Sequence, residues 1–500
     1  MNFLDRIVGY VSPLAGLRRA QARIGLDVAL KFDGATKGRR SEGWRGTGAD
    51  ANTEAQGALR YLRANTREIV RNNPYGRRAL QVIAGGVVGW GIKASPAGAG
   101  VRQQKTADDI WNQWAESTKC DADGRHNFYG LQKLVMRTVA ESGECLIRRR
   151  WRTAADNLPV PLQLQILEPD FLDEYRDGML SNGNFIIQGI EFNQIGQRVA
   201  YHLFREHPGS NVLSRFGKSS LISTAVPASD IIHVYQQDRP GQVRGVPWFA
   251  AVILRLNDFD DFEDATLLKQ KIAACFAAFV KDNTGTAGGL GKKKDDLIET
   301  IEPATVAYLP ADREVTFATP PMANDYVGYS ASILHACAAG LGVTYEQLTS
   351  DFSNVNYSSA RMAQLLFQAN IEDWRWNMLI PHACDGTWAW FLDAAIAAGK
   401  LSERVPVLWT PPPFQYVDPE KDVQAKIKAI RSGLDTLPNA IREQGRDPAA
   451  QLAEAEAANK EIDARGLILD SDPRKTDQTG KARGAATGGS DAGTGEQATQ

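Results

Sequence analysis

The residues that could do chemistry fall in three places along this chain. Thr286-Ala287-Gly288-Gly289-Leu290-Gly291-Lys292-Lys293 has the glycines and lysine of a phosphate-cradling turn. A Walker A loop needs glycine where Thr286 stands and a magnesium-binding Ser or Thr where Lys293 stands, so the stretch reads as a solvated loop with a basic tip. His335-Ala336-Cys337 and His382-Ala383-Cys384 together hold enough ligands for one zinc ion. Both lie in helical patterns, where residues two apart point away from each other, so core packing is the simpler expectation. Asp258, Asp260, Asp261, Glu263 and Asp264 form a carboxylate cluster without a histidine, and neighbouring ligands would face different sides of a helix. They read as a solvated or channel-lining acidic face. Gly85 to Gly91 is glycine-rich but has the wrong spacing for a dinucleotide site, and G-x-S-x-G and H-E-x-x-H are absent. The expectation is a protein with no catalytic residue, no metal and no cofactor.

The elements that hold these residues are an α+β mixture rich in helix. Residues 1–55 read as a loosely ordered extension. Helical spacing begins near Asn52, with Leu59, Leu62, Ile69 and Val70 on one face and an interruption at Asn72-Asn73-Pro74. Ala79–Val88, Arg102–Ser117 (with Ile110, Trp111 and Trp114) and Leu131–Val139 continue it. Glu144–Arg148, Leu162–Leu167, Phe185–Ile187, Val199–Phe204 and Ile231–Tyr235 read as short strands, giving one α+β domain over 56–247.

A long helix is then expected over 248–281, roughly 45 Å at about 1.5 Å per residue. Its acidic first half includes Asp258 and Asp261, and its basic second half includes Lys269 and Lys271, the order that the helix dipole favours. Residues 282–323 form an excursion with a strand at Thr305–Leu309. A helix at 324–342 follows, then a polar loop at 343–357. A second long helix starts near Ser358, with Pro381 kinking or interrupting it. Trp409-Thr410-Pro411-Pro412-Pro413 breaks the chain before two helices within 414–469. Residues 470–500 have no Leu, Ile, Val or aromatic residue and read as a disordered tail.

Bulk properties narrow the class. The chain has 500 residues, enough for two or three domains, and is 43% hydrophobic with net charge -2. A protein that grips DNA needs phosphate contacts from Lys and Arg, so this balance argues against a tight binder and not against a conduit. Five scattered cysteines without C-x-x-C spacing read as reduced thiols. There is no signal-peptide pattern, and the longest apolar run, Ile272–Val280, is far short of the roughly 20 residues that span a bilayer.

Several strings resemble the lambda-type portal family of tailed bacteriophages. They are Asn72-Asn73-Pro74-Tyr75-Gly76-Arg77-Arg78-Ala79; Leu164-Gln165-Ile166-Leu167-Glu168-Pro169-Asp170; Ile232-His233-Val234-Tyr235 followed by Arg239-Pro240-Gly241-Gln242-Val243-Arg244-Gly245-Val246-Pro247; Tyr345-Glu346-Gln347-Leu348-Thr349; and Asn356-Tyr357-Ser358-Ser359-Ala360-Arg361. The likeness runs from about residue 50 to 469. It implies a portal fold with wing, stem, clip and crown, assembling into a ring, commonly of twelve subunits, at one capsid vertex.

By element order, 56–247 would be wing, 248–281 and 324–342 stem, 282–323 clip, 343–357 a tunnel loop, 358–413 a long wing helix and connection, and 414–469 crown. The tunnel loop would offer DNA Thr344, Glu346, Gln347, Thr349, Ser350, Asp351, Ser353 and Asn354, with no Lys or Arg. The clip would present Lys292, Lys293 and Lys294 to the packaging motor and later to neck proteins. Implied partners are other copies of the chain, double-stranded DNA, the terminase large subunit, head-completion or connector proteins, the major capsid protein and scaffold, and no membrane. The implied location is the virion, with assembly in the host cytoplasm. A nuclease-like enzyme would need a compact metal-carboxylate or histidine site, and a head-to-tail adaptor would be much shorter.

Overall fold

Asn73 sets the geometry of the first helical pair. It ends α1 (Leu59–Asn72) in an extended conformation, and its Oδ1 accepts the Gly76 amide at 2.8 Å to cap α2 (Pro74–Val88). Pro74 occupies the first turn, where its missing N–H is not needed. A Cβ on Gly76 would come within 2.6 Å of Ile69 Cγ2, so this glycine lets the two helices approach closely. The computed structural model describes residues 46–210, 222–274, 278–281, 306–309, 326–416 and 418–467, together with 469, 472, 474 and 475. The chain divides into two units, Met1–Glu54 and Ala55–Gln500; every element labelled here lies in the second.

After β1 (Lys93–Pro96), helices α3 (Val101–Ala115) and α4 (Phe128–Ser142) frame an aromatic core. Trp111 and Trp114 are fully buried, and the Trp111 ring lies 4.9 Å from Trp388 and 5.0 Å from Phe391, edge to face. β2 (Glu144–Trp151) is the centre of a three-stranded antiparallel sheet with β3 (Leu162–Leu167) on one side. A five-stranded antiparallel meander follows: β4 (Gly178–Met179), β5 (Phe185–Ile187), β6 (Ile190–Phe192), β7 (Arg198–Leu203) and β8 (Thr224–Pro227). β9 (Ile231–Tyr235) then returns to the other side of β2. The strand period of two assigns alternate β2 residues to different cores. Cys145 and Ile147 pack in the large helical core, and Leu146 packs with the meander.

The expected helix over 248–281 is interrupted at both ends. Trp248–Ala251 is a 3-10 turn, Val252 leaves helical geometry (φ -120°, ψ -8°), and α5 spans Ile253–Ala274. Ala278–Lys281 is a strand, β10, paired in parallel with β11 (Val306–Leu309), so cross-strand pairing wins over helical periodicity around the two β-formers Phe279 and Val280. α6 (Tyr326–Leu341) follows. The expected polar loop contains a short helix, α7 (Tyr345–Thr349).

The last long helix is α8 (Tyr357–Trp374), continued by a π-helical stretch, Arg375–Cys384, and α9 (Asp385–Ala397). Pro381 does not break it: Pro381 lies inside the widened π turns, a local adjustment that accommodates the missing amide. β12 (Val407–Thr410) pairs antiparallel with β1 and so stitches the two ends of the body together. Three outer helices close the described chain: α10 (Pro419–Arg431), α11 (Leu437–Glu443) and α12 (Pro448–Ala464).

Candidate functional site

The string Arg239–Pro247 is a structural lock on the α+β body. Tyr235 Oη donates to Gln242 O at 2.9 Å, and Gln242 Oε1 accepts the amides of Asp238 and Arg239. This loop delivers Arg244 into the interior, where Nε and Nη2 meet the Glu144 carboxylate at 2.8 and 2.5 Å and Nη1 donates to Gln188 O. Glu144 also accepts the Gly245 amide and a hydrogen bond from His233 Nε2, both at 2.9 Å. Gly245 lies so close to Gly143 that a Cβ would sit 2.1 Å from its carbonyl oxygen. Burial opposes ionisation of Glu144, yet Arg244 and the His233 hydrogen bond hold its carboxyl well below the ordinary range. Burial pushes His233 the other way, toward the neutral imidazole, against the pull of Glu144. Arg63 completes the cluster through Glu174 at 2.7 Å.

The α5 and α6 helices form an arm joined by aromatic contacts. Phe262 stacks on Tyr326, with centroids 5.8 Å apart and planes within 12°, and Tyr326 Oη donates to Glu263 at 2.8 Å. Asp260 is tied back to the body by Asn73 Nδ2 at 2.7 Å. Asp258, Asp261 and Lys271 are exposed, and Lys269 is half-buried. Beside them, Leu254 is 77% exposed, Leu268 58% and Val327 77%. Apolar side chains on three turns of the arm therefore face outward, uncovered among the described residues.

The 343–357 segment divides its residues between two tasks. Thr344 and Gln347 are used up in a capping box on α7: Gln347 N donates to Thr344 Oγ1 at 3.2 Å, and Thr344 N donates to Gln347 Oε1 at 3.3 Å. Thr349 Oγ1 bonds back to Tyr345 O, Glu346 is half-buried, and Leu348 is buried. The exposed tip is Ser350–Asn354. Ser350 turns left-handed (φ 59°), and Asp351 accepts from the amide and hydroxyl of Ser353. Phe352 stands at this tip 65% exposed. Cations from outside reach both ends of the segment: Arg78 Nε donates to Gln347 O at 3.0 Å, and Arg361 Nη1 donates to Tyr357 Oη at 3.2 Å. The charges within 343–357 alone give no sign of them.

Arg375, which the helical spacing hid among core positions, is a third buried cation beside Arg63 and Arg244. Its Nε and Nη2 donate to the carbonyls of Val87 and Gly86 at 2.7 and 2.8 Å, closing the C-terminal end of α2. Its guanidinium also lies 4.9 Å from the Phe414 ring. Beside it opens a cleft of ≈ 1030 Å³, lined by Leu365, Trp376, Leu408, Pro412, Tyr416 and Arg442 among others. The outer helices α10, α11 and α12 have no buried residue.

Lys292, Lys293 and Lys294, and the phosphate-loop-like stretch that precedes them, lie outside the described residues. The His335 ring stacks on Tyr345, and Cys384 takes a contact from Gln132 Nε2 at 3.6 Å. Among the described residues, the one trio of potential metal ligands within reach of each other is Glu168, Asp170 and His207. Arg67 already bonds both carboxylates there. Among the same residues, no helix is long and apolar enough to cross a membrane.

Fold and surfaces together define a helix-rich α+β protein whose arm and outer helices expose apolar side chains beyond a self-contained body. The chain belongs to the lambda family of phage portal proteins, whose description matches residues 37–375. It is 26% identical over 453 residues to a probable portal protein of Halomonas phage phiHAP-1, covering 83% of this chain and 84% of that one. It is 23% identical over 521 residues to portal protein B of Escherichia phage lambda, covering 88% and 94%. Among solved structures, a chain from the neck of a native gene transfer agent particle aligns at 14% identity and a TM-score of 0.39, over 77% of this chain and 94% of that chain.

Proposed function

We propose that copies of this chain, twelve in the virion, close into a ring at one capsid vertex and form the channel through which double-stranded DNA is packaged and ejected. The role is structural and involves no catalysis. The observation that carries the reading, beside family membership, is the set of uncovered apolar positions on α5, α6, α8 and α10–α12, where Met362 and Leu366 on α8 are 60% and 64% exposed. A cyclic ring uses heterologous interfaces, in which one face of a subunit meets a different face of the next, and such interfaces would cover these positions.

In this reading α5 and α6 are the stem, 282–323 is the clip, the Ser350–Asn354 tip projects into the tunnel, and 414–469 forms the crown. The tip carries neutral and acidic groups only, so it gains no counterion-release affinity and lets a duplex slide. The clip docks the terminase large subunit and afterwards the head-completion or connector proteins. The wing faces the major capsid protein and scaffold. Assembly takes place in the host cytoplasm.

Negative-stain imaging and mass photometry of the purified full-length protein test the ring. Rings of about a dozen subunits with an axial hole are expected; a lone subunit under every assembly condition, or a closed particle without an opening, overturns the reading. Reversing Lys292, Lys293 and Lys294 to Glu should impair motor docking and leave rings intact, and normal packaging in that triple variant would remove the clip assignment.

A further inference from the structure

The even-numbered face of β2 changes character along its length. Glu144 and Leu146 are buried, and then Arg148, Arg150 and Arg152 follow on the same side, each partly exposed. Their neighbours across β3 are glutamines: Arg148 is opposite Gln165 and Arg150 is opposite Gln163. The carboxamides hold the arginines by their inner nitrogens. Arg150 Nε donates to Gln165 Oε1 at 2.9 Å, and Arg152 Nε donates to Gln163 Oε1 at 2.6 Å. Gln163 is itself fixed by Nε2 bonds to the carbonyls of Lys119 and Asp121. Among the described residues, the terminal nitrogens of both guanidinium groups have no acceptor.

Among the described residues, no carboxylate lies within ion-pair distance of these three arginines. Asp230, the nearest to Arg148, is taken by Arg149 at 2.6 Å on the opposite face. Asp156, which feels the charge of Arg152, is held by the amide and hydroxyl of Thr153. Burial lowers the proton affinity of Arg150, and the charges of Arg148 and Arg152 lower it further, as expected for a row of like charges awaiting an anion.

We infer that Arg148, Arg150 and Arg152 form a binding face for the phosphodiester backbone of nucleic acid, on the α+β body and apart from the tunnel segment. Spacing favours this class of partner. Alternate strand residues set the cations about 6.6 Å apart. Successive phosphates of one strand rise ~3.4 Å along the axis and also turn about it, which separates them by a comparable distance along the backbone, so a β-strand that follows the backbone meets neighbouring phosphates. Composition favours it too. A protein interface is anchored by apolar or aromatic residues in buried pockets. This face instead offers arginines and glutamines, and Ile231, the residue opposite Arg148, is already buried. Phosphate contacts need nothing more than such donors.

The test is fluorescence anisotropy of the assembled full-length protein with a labelled 20-bp duplex across a salt series. The triple variant Arg148→Gln, Arg150→Gln, Arg152→Gln should lose at least tenfold in affinity at low salt. Its slope of log K against log salt should be shallower by about 2–3, at roughly 0.9 for each phosphate that is no longer neutralised. The triple Arg→Lys variant, which keeps the charges, should retain most of that slope and reports on correct folding. Unchanged affinity and slope in the Gln triple overturns the inference. So does an Arg→Lys triple as defective as the Gln triple. Displacement of the duplex by poly-glutamate at equal charge concentration would assign the face to an acidic polypeptide instead.

Discussion

The α+β body and the outer helices of this portal protein are built on opposite terms. In the body, polar groups are brought inside and matched within one chain: Glu144 takes bonds from Arg244, His233 and the Gly245 amide. In α10–α12 no residue is buried, and Leu434, Leu437 and Leu452 stay in solvent. The body is therefore specified by its own sequence, whereas the arm and outer helices need a neighbour to remove their apolar surface from water.

The sharpest way to break the contrast is at Glu144. Glu144→Gln leaves Arg244 and Arg63 buried without their shared counter-charge, and removing one partner of a buried pair costs about 3–5 kcal/mol. A large drop in the denaturant midpoint of the isolated subunit is expected, and a midpoint within error of the parent would show that the lock contributes little. Acid should act on the same cluster in two stages. His233 has a folded-state pKa depressed below its ordinary 6.5, so the unfolded chain binds the proton first and stability erodes as pH falls below that value. Glu144 is depressed below its ordinary 4.5, so its contribution is full above that pH and is lost on further descent toward the folded pKa. His233→Gln should remove the upper stage, while the lower one, which Arg244 still drives, should persist in weakened form.

Arg375→Met comes next. It removes two charged donors and leaves the Gly86 and Val87 carbonyls at the end of α2 without them, a loss of about 2–3 kcal/mol read by the same denaturation. The comparison inverts at α8. Met362→Asp with Leu366→Asp should leave the subunit midpoint unchanged while the ring fraction in mass photometry falls at least tenfold, about 1.4 kcal/mol. Loss of subunit stability instead would place that stripe inside the fold.

How much was legible in the sequence follows the same division. Ile231–Tyr235 and Leu162–Leu167 were readable because a half-buried strand alternates or runs apolar over five or six residues. β4, β6 and β8 have two to four residues each, too short for any period to emerge, and they exist through their neighbours in the meander. The string at 239–247 was visible as a pattern, but its role depends on Glu144, about a hundred residues earlier, and no local spacing reports such a pairing. Arg375 was hidden for the same reason, since its carbonyl partners lie in α2. The strand at 278–281 is not legible because small and bulky apolar residues keep the helical pattern going up to it, and only pairing with β11 makes it strand.

The smallest effect separates the two tasks within 343–357. Thr344→Ala removes the side chain that accepts the Gln347 amide, and a lost N-cap typically costs about 1 kcal/mol. Asp351 at the exposed tip bonds Ser353 and reaches Tyr345, and Asp351→Asn keeps an acceptor there, so its effect on stability should stay within about 0.5 kcal/mol. The two variants should then part in the opposite sense on DNA. If the tip lines the channel as proposed, Asp351→Asn takes one negative charge from each copy there and should change the salt dependence of packaging, whereas Thr344→Ala keeps the charge and should alter packaging only as far as it loosens α7. If Asp351→Asn packages like the parent at every salt concentration and Thr344→Ala does not, the segment acts through its fold, and the charge of its tip is incidental.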